Sequence, residues 1–143
     1  MSDMTLQISD QLRATLALRL PDYIQLKNET EIDKNSDKTL DKGFAVEAGN
    51  IGAAPTHNGS LTFIQSFTFT LTQKFNGTEN VEAIKADLFE AAIEQLKYFT
   101  NTKIAGLSGI RSVEQLQAME SVFIKESVIA VRTTLPVIFS TRF

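Results

Sequence analysis

Few residues of this sequence have side chains and spacing suited to catalysis. His57 is the only histidine, and it lies beside Asn58 in a stretch rich in glycine and proline. A Ser-His-Asp arrangement or a multi-histidine metal site needs more than this, and a lone histidine in a loop is more often solvated than catalytic. Because the chain has no cysteine, thiol catalysis, disulfides and cysteine-based zinc sites are excluded.

Two carboxylates one helical turn apart, Glu90 and Glu94, could act as a general acid and base. They lie on the polar side of a predicted helix, where such carboxylates usually form the solvated helix face. The stretch Gly49-Asn50-Ile51-Gly52 lacks the spacing and the lysine of a phosphate-binding loop, and it does not fit the dinucleotide-binding pattern. The sequence therefore predicts no catalytic residue, no metal site and no cofactor, and we interpret the protein as not an enzyme.

The composition is that of an ordinary globular chain, and 143 residues is a length typical of one domain. The chain has 14 basic and 17 acidic residues, which gives a net charge of −3. Nucleic-acid binders usually have a basic balance or a basic cluster, so a strongly electrostatic nucleic-acid binder is disfavoured. No apolar run approaches the ~20 residues of a membrane span, and we expect no membrane association.

Apolar periodicity predicts two main helices. The first has an apolar residue every four positions and ends at Pro21, which cannot continue the helical hydrogen bonds. The second has one apolar stripe that runs from Val81 to Phe99, with charged residues opposite. Either Thr78 or Asn80 can cap its first turn.

The clearest strand covers residues 61–75, where apolar and hydroxyl-bearing residues alternate. Its apolar side is rich in phenylalanine, and Gln65 is the polar interruption. We expect this side to pack on the helix over 81–99, and the hydroxyl side to face water or a polar partner. Apart from Ile64, the hydroxyl side consists of Thr62, Ser66, Thr68, Thr70 and Thr72.

Further strands complete a sheet. They are predicted within 23–32, at 43–46, and over 110–116, 120–126 and 128–143. Pro136 lacks an amide hydrogen, so the last strand must lie at an edge there or bulge. Two segments, 33–42 and 47–60, are rich in charges or turn formers and are predicted as mobile surface loops. These elements predict a single α+β domain over 1–143, with a mostly antiparallel sheet and two main helices packed on one face.

The order of these elements resembles that of the tail terminator, or tail completion, proteins of long-tailed bacteriophages. The resemblance is carried by the helix ending in Leu20-Pro21, the segment Lys42-Gly43-Phe44-Ala45-Val46, the long strand over 61–72, the helix from Val81 and the closing strand over 137–143. It covers essentially the whole chain and rests on layout, not on a motif. Related folds also occur in other neck and tail-tube-capping subunits.

The resemblance implies a ring, commonly a hexamer, seated on the last ring of the tail tube. Such a ring ends tube polymerisation, joins the tail to the head connector and lets DNA pass through its lumen without sequence-specific binding. The expected partners are further copies of the chain, the tail tube protein and a head-completion or connector protein. The expected location is the virion, and the host cytoplasm during assembly. The alternatives that stay open are another neck or tail-tube adaptor subunit, a small non-viral binding module, and a small enzyme, which would need a pocket with convergent polar groups.

Candidate residues for an assembly surface come from the hydroxyl side of the long strand and from the two predicted loops. A hydroxyl-rich sheet face could meet a neighbouring subunit or line a lumen, and loops are where rings and adaptors usually dock. The candidates are Thr62, Thr68, Thr70, Thr72, Lys34, Asp37, Lys38, Asn50 and His57.

Overall fold

A computed structural model of the 143-residue chain describes residues 2–28, 42–57, 60–75, 80–104, 107, 109–114, 119–124 and 127–141. In this part of the chain, two helices accompany a six-stranded, mostly antiparallel, curled sheet, which confirms the predicted α+β fold class. The helices are α1 (Ser2–Arg19) and α2 (Val81–Thr102). The strands are β1 (Ile24–Gln25), β2 (Lys42–His57), β3 (Ser60–Lys74), β4 (Ile110–Val113), β5 (Met119–Ile124) and β6 (Val128–Thr141).

Helix α2 is capped at both ends by local hydrogen bonds. The Asn80 side-chain oxygen accepts from the backbone amides of Glu82 at 3.1 Å and Ala83 at 3.3 Å, so Asn80 is the N-cap that the sequence offered. The helix ends where Lys103 adopts a left-handed backbone with φ of 51°. The other candidate cap, Thr78, lies outside the described residues.

The strand order across the sheet is β1-β2-β3-β6-β4, and β5 pairs with β6 as well. Strands β1 and β2 are parallel, whereas the other described pairings are antiparallel. Strands β3 and β6 form the centre and pair along almost their whole length. Strand β4 pairs with the C-terminal part of β6 and strand β5 with its N-terminal part, so the sheet has different outer strands at its two ends.

Pro136 lies in β6 between the stretches that pair with β4 and β5. Its carbonyl accepts a hydrogen bond from the Glu114 amide at 2.8 Å, on the side away from β3. Because the nitrogen and carbonyl of a strand residue point to the same side, the proline nitrogen also points away from β3. The missing hydrogen therefore falls at a local edge, one of the two options that the sequence left open.

Both helices pack on the same face of the sheet, as predicted, and we call it the helix face. Phe67 and Phe69 of β3 are buried there, and the Phe69 ring meets the Phe99 ring of α2 edge-on at 6.0 Å. This apolar cluster is the main core. Its buried members from the helices are Ile8, Leu12, Leu16, Ile84, Leu88, Ala92 and Phe99, and those from β2, β3 and β6 include Phe44, Val46, Leu71, Val131, Leu135, Val137 and Phe139.

The opposite face, which we call the second face, carries a smaller apolar cluster at one end. Leu26, which follows β1, and Ile124 of β5 are buried there together with Ala45, Val128 and Ala130. These two outer residues come from opposite edges of the sheet, because β1 and β5 border it at this end. The sheet is thus buried on both sides here, and we call this part the closed end of the second face.

The predicted loop over 47–60 is wrong for the described part of that range. Strand β2 continues to His57, and its pairing with β3 ends at the His57–Ser60 pair. Two irregularities, between Ala48 and Ile51 and between Ala54 and His57, take up the extra residues. Glycine and proline are compatible with this strand because an edge strand makes ladder hydrogen bonds on one side only.

The other predicted loop, over 33–42, lies outside the described residues except for its last position. Lys42 is the first residue of β2, not the end of a loop. Its ammonium lies 5.5 Å from the centre of the Tyr23 ring, a cation–π contact that fixes the start of the strand. The strand predicted within 23–32 is short, Ile24–Gln25.

Candidate assembly surface

The hydroxyl residues of β3 lie on the second face, as their alternation predicts. Their burial differs along the strand, however. Thr70 and Thr72 lie at the closed end and are 5% and 0% exposed. The Thr72 hydroxyl donates to the Gly43 carbonyl at 3.2 Å, inside the chain. Thr70 and Thr72 therefore do not belong to a surface of the free subunit, and this corrects their place among the candidates.

The remaining two threonine candidates differ from each other. Thr62 is 5% exposed, and its hydroxyl has no hydrogen-bond partner among the described residues. Thr68 is half-buried, and its hydroxyl lies 3.2 Å from that of Thr134 on β6. Of the hydroxyl candidates on β3, Thr68 alone is accessible at the second face.

The accessible part of the second face is a shallow groove of about 300 Å³ beyond Thr68. We call it the open end. None of its lining residues carries a charge, and several are apolar. They are Asn50, Ile51, Gly52, Ile64, Ser66, Thr134 and Pro136. Asn50 was a candidate from the sequence, whereas the lining residues of β6 were not, because their partnership with β3 depends on strand pairing across about 70 residues of chain.

Asn50 is exposed at the first irregularity of β2, and that irregularity is held by a buried side chain. The Gln65 amide nitrogen donates to the Gly49 carbonyl at 3.0 Å, and its oxygen accepts from the Thr5 hydroxyl at 2.8 Å. Gln65 thereby ties α1, β3 and β2 together. This role explains why a polar residue lies on the otherwise apolar side of β3. In the sequence pattern, Gln65 is visible only as an interruption of that side.

The remaining candidates lie wholly or partly outside the described residues. Lys34, Asp37 and Lys38 are outside the described residues. His57 is in β2, where its backbone pairs with that of Ser60, and its side chain is outside the described part of the molecule. The sequence-predicted set is therefore not brought together into one site by the described residues.

The described contacts to the outer edge of β2, on the side away from β3, lie along its first half. Strand β1 covers its start, where the Leu26 amide donates to the Phe44 carbonyl at 2.8 Å. Next along the edge, the Arg13 guanidinium of α1 donates to the Val46 carbonyl at 3.0 Å. Residues 47–53 are exposed, and no described strand pairs with this outer edge.

The described residues show little that could support acid–base chemistry. Burial raises the pKa of the Tyr23 phenol above its ordinary value, and the negative charges of Asp87 and Asp22 raise it further. The phenol is therefore neutral at physiological pH and contributes packing surface at the start of β1. Among the described residues, no three histidine, aspartate or glutamate side chains converge as metal ligands would.

A second groove, of about 490 Å³, lies between α1 and the end of β1. Arg13 forms one wall, and its charge is already engaged by Asp10 at 3.3 Å and by the Val46 carbonyl. The other lining residues are Gln25, Leu26 and Lys27. This groove has mixed charge and no convergent set of polar groups, so it indicates no ligand class.

Comparison with known protein families and with curated proteins finds no match for this chain. Neither of the two helices in the described ranges has a stretch that is both long and apolar enough to cross a membrane. The features of the molecule that bear on its function are therefore the second face and the β2 edge.

Proposed function

We propose that this protein is a structural subunit of a bacteriophage virion that forms a ring, hexameric by resemblance, at the head-proximal end of the tail tube. The ring ends tube polymerisation and joins the tail to the head connector. Its partners are further copies of itself, the tail tube protein and a head-completion or connector protein. DNA passes through the lumen without sequence-specific contacts.

The observation that carries this proposal is the exposure of the outer end of the β2–β3 hairpin, which is formed by the second half of β2 and the first half of β3. Residues 47–53 of β2 are exposed, and the neighbouring open end is an uncharged groove. A hairpin whose end extends beyond the helices of its own chain needs either charged side chains or a partner, since exposed strand edges otherwise associate with other chains. Glu47 supplies the one charge between Gly43 and His57 at neutral pH, so a partner is the better explanation.

The element order supports the choice of a tail terminator among assembling proteins. The order α1, β1, the β2–β3 hairpin, α2 and the closing strands agrees with the layout on which the resemblance was based. The mild negative charge of −3 suits a ring through which DNA must slide, because a basic lumen would retain it. The proposed role requires binding surfaces and no covalent chemistry.

The test is the assembly state of the purified chain. Light scattering should give a mass several times that of the subunit, and negative-stain electron microscopy should show rings, either free or on the ends of tail tubes assembled from the tube protein of the same phage. Tubes incubated with the protein should stop elongating at one end. A protein that stays monomeric at high concentration and leaves tube growth unchanged would contradict the proposal.

A further inference from the structure

Beyond Val46, no described strand pairs with the outer edge of β2, and the direction of the backbone groups there follows from the strand register. Phe44 accepts from β1, so its backbone groups point outward, and it lies opposite Leu71 in β3. The odd-numbered residues of β3 therefore direct their backbone amides and carbonyls toward β6. The β2 residues opposite them direct theirs outward, away from β3. Beyond the irregularity those residues are Ile51, opposite Gln65, and Ala53, opposite Phe63.

Strand β4 borders the same end of the sheet on the opposite side. The Gly109 carbonyl accepts from Ser140 at 3.0 Å and the Glu114 amide donates to Pro136, so these groups face β6. Ile110 and Val113 lie opposite Phe139 and Val137, and the backbone groups of those two β6 residues face β3. Ile110 and Val113 consequently direct their amides and carbonyls away from the sheet.

The residues of β2 and β4 whose backbone groups point outward lie in the same rows, where a row is a line of residues paired with one another across the sheet. One row across the sheet runs Ile51, Gln65, Val137, Val113. The next runs Ala53, Phe63, Phe139, Ile110. Between them lies a row that begins at Gly52 and ends at Ser112.

The strand directions also match. Strands β2 and β6 run the same way, because each is antiparallel to β3, and β4 is antiparallel to β6. A copy turned about an axis parallel to the strands therefore brings its β4 antiparallel to the β2 of its neighbour. Because the rows are level, such pairing has no rise along the axis, and a head-to-tail contact without rise forms a ring when the rotation between subunits closes.

We infer that the outer edge of β2 over residues 50–54 is the binding site for β4 of a second copy of this chain, so that neighbouring subunits share one continuous sheet. Ile51 pairs with Val113 of the neighbour, and Ala53 pairs with Ile110. Pro55 has no amide hydrogen and ends the pairing segment. The inference rests on the proposed ring and specifies how its subunits meet.

The first test removes one outward donor. Ala53→Pro deletes an amide hydrogen that faces away from β3 and fills the space of the incoming strand, so the β2–β3 pairing should survive. Ala53→Ser keeps the hydrogen and is the matched control. We expect self-association to weaken at least about tenfold in the proline variant and to stay unchanged in the serine variant, measured by light scattering across a dilution series.

The second test locates the partner strand without relying on the proline variant. The chain has no cysteine, and among the described residues a Cβ at Gly52 would meet only Ile64 Cγ2, at an ordinary 3.9 Å. Gly52→Cys combined with Ser112→Cys should give disulfide-linked oligomers on mild oxidation, since directly opposed strand residues are within disulfide range. Gly52→Cys combined with Glu120→Cys on β5 should not.

The outcomes separate this inference from the proposed function. Rings that are weakened by Ala53→Pro and cross-linked through Ser112→Cys support the shared sheet. If rings form equally well with Ala53→Pro, or if they cross-link through Glu120→Cys, the proposed pairing is wrong. The ring proposal then still stands. A wild-type chain that never self-associates overturns both.

Discussion

The closed and open ends of the second face belong to the same strands but have different neighbours. At the closed end, Leu26 and Ile124 are buried in one apolar cluster, and the Thr72 hydroxyl bonds within the chain. At the open end, Ser66, Thr134 and Pro136 line an accessible groove. The polarity of the strand residues is similar at both ends. Cover by other segments, and not the hydroxyl pattern, therefore decides which part of the face is available to a partner.

The largest contrast is expected from a charge placed at each end. Thr70 is buried and has Arg132 as its cross-strand neighbour, so Thr70→Arg should lower the free energy of unfolding by about 3–5 kcal/mol, the range for an uncompensated buried charge. Thr68→Arg should lower it by no more than about 1 kcal/mol, because the side chain can reach water and loses one hydrogen bond. Urea titrations of both variants would measure the difference.

The Thr68→Arg variant also reports on assembly, since it stays folded while placing a charge beside the open end. If the open end meets a neighbouring subunit, this variant should fail to form rings. Equal stability losses for the two arginine variants would show that the closed end is not closed in solution.

A smaller contrast is expected from two glycines of β2 that share the second face. A Cβ at Gly43 would lie 2.8 Å from Leu26 Cγ and 3.1 Å from Thr72 Oγ1, whereas the one described contact of a Cβ at Gly52 is Ile64 at 3.9 Å. Gly43→Ala should therefore cost about 1–3 kcal/mol through overpacking. Gly52→Ala should be neutral or stabilising by up to about 1 kcal/mol, because alanine restricts the unfolded chain. If the melting temperatures of the two variants shift in the same direction and by the same amount, the difference between the closed and open ends is contradicted.

Local sequence patterns predicted most of the fold. The alternation over 61–75 and the apolar stripe from Val81 to Phe99 correspond to β3 and α2, and both helices lie on the phenylalanine side of β3. These features depend on residues close together in the chain, where periodicity determines which side is apolar.

The features that sequence reasoning missed depend on distant segments. Thr70 and Thr72 are buried at the end of the second face where Leu26 and Ile124, separated from each other by most of the chain, belong to one apolar cluster. Strand β2 beyond Val46 looked like a loop because Gly49, Gly52 and Pro55 are turn formers, and it is a strand because β3 pairs with it. Neither fact has a local signal, and so the candidate surface was placed partly on buried residues.

The smallest contrast separates burial from hydrogen bonding at two adjacent threonines of β6. Thr133 is fully buried on the helix face, and its hydroxyl has no partner among the described residues, whereas the Thr134 hydroxyl bonds that of Thr68 at the second face. Thr133→Val should raise the free energy of unfolding by about 1 kcal/mol, because it removes an unsatisfied buried polar group at nearly constant shape. Thr134→Val should lower it by about 0.5 kcal/mol, a small amount because water can replace the lost bond to the half-buried Thr68. Chemical denaturation of both variants gives the signs directly. A loss of stability in Thr133→Val would mean that its hydroxyl has a partner after all, for example a buried water, and that the helix face is less dry than its apolar neighbours indicate.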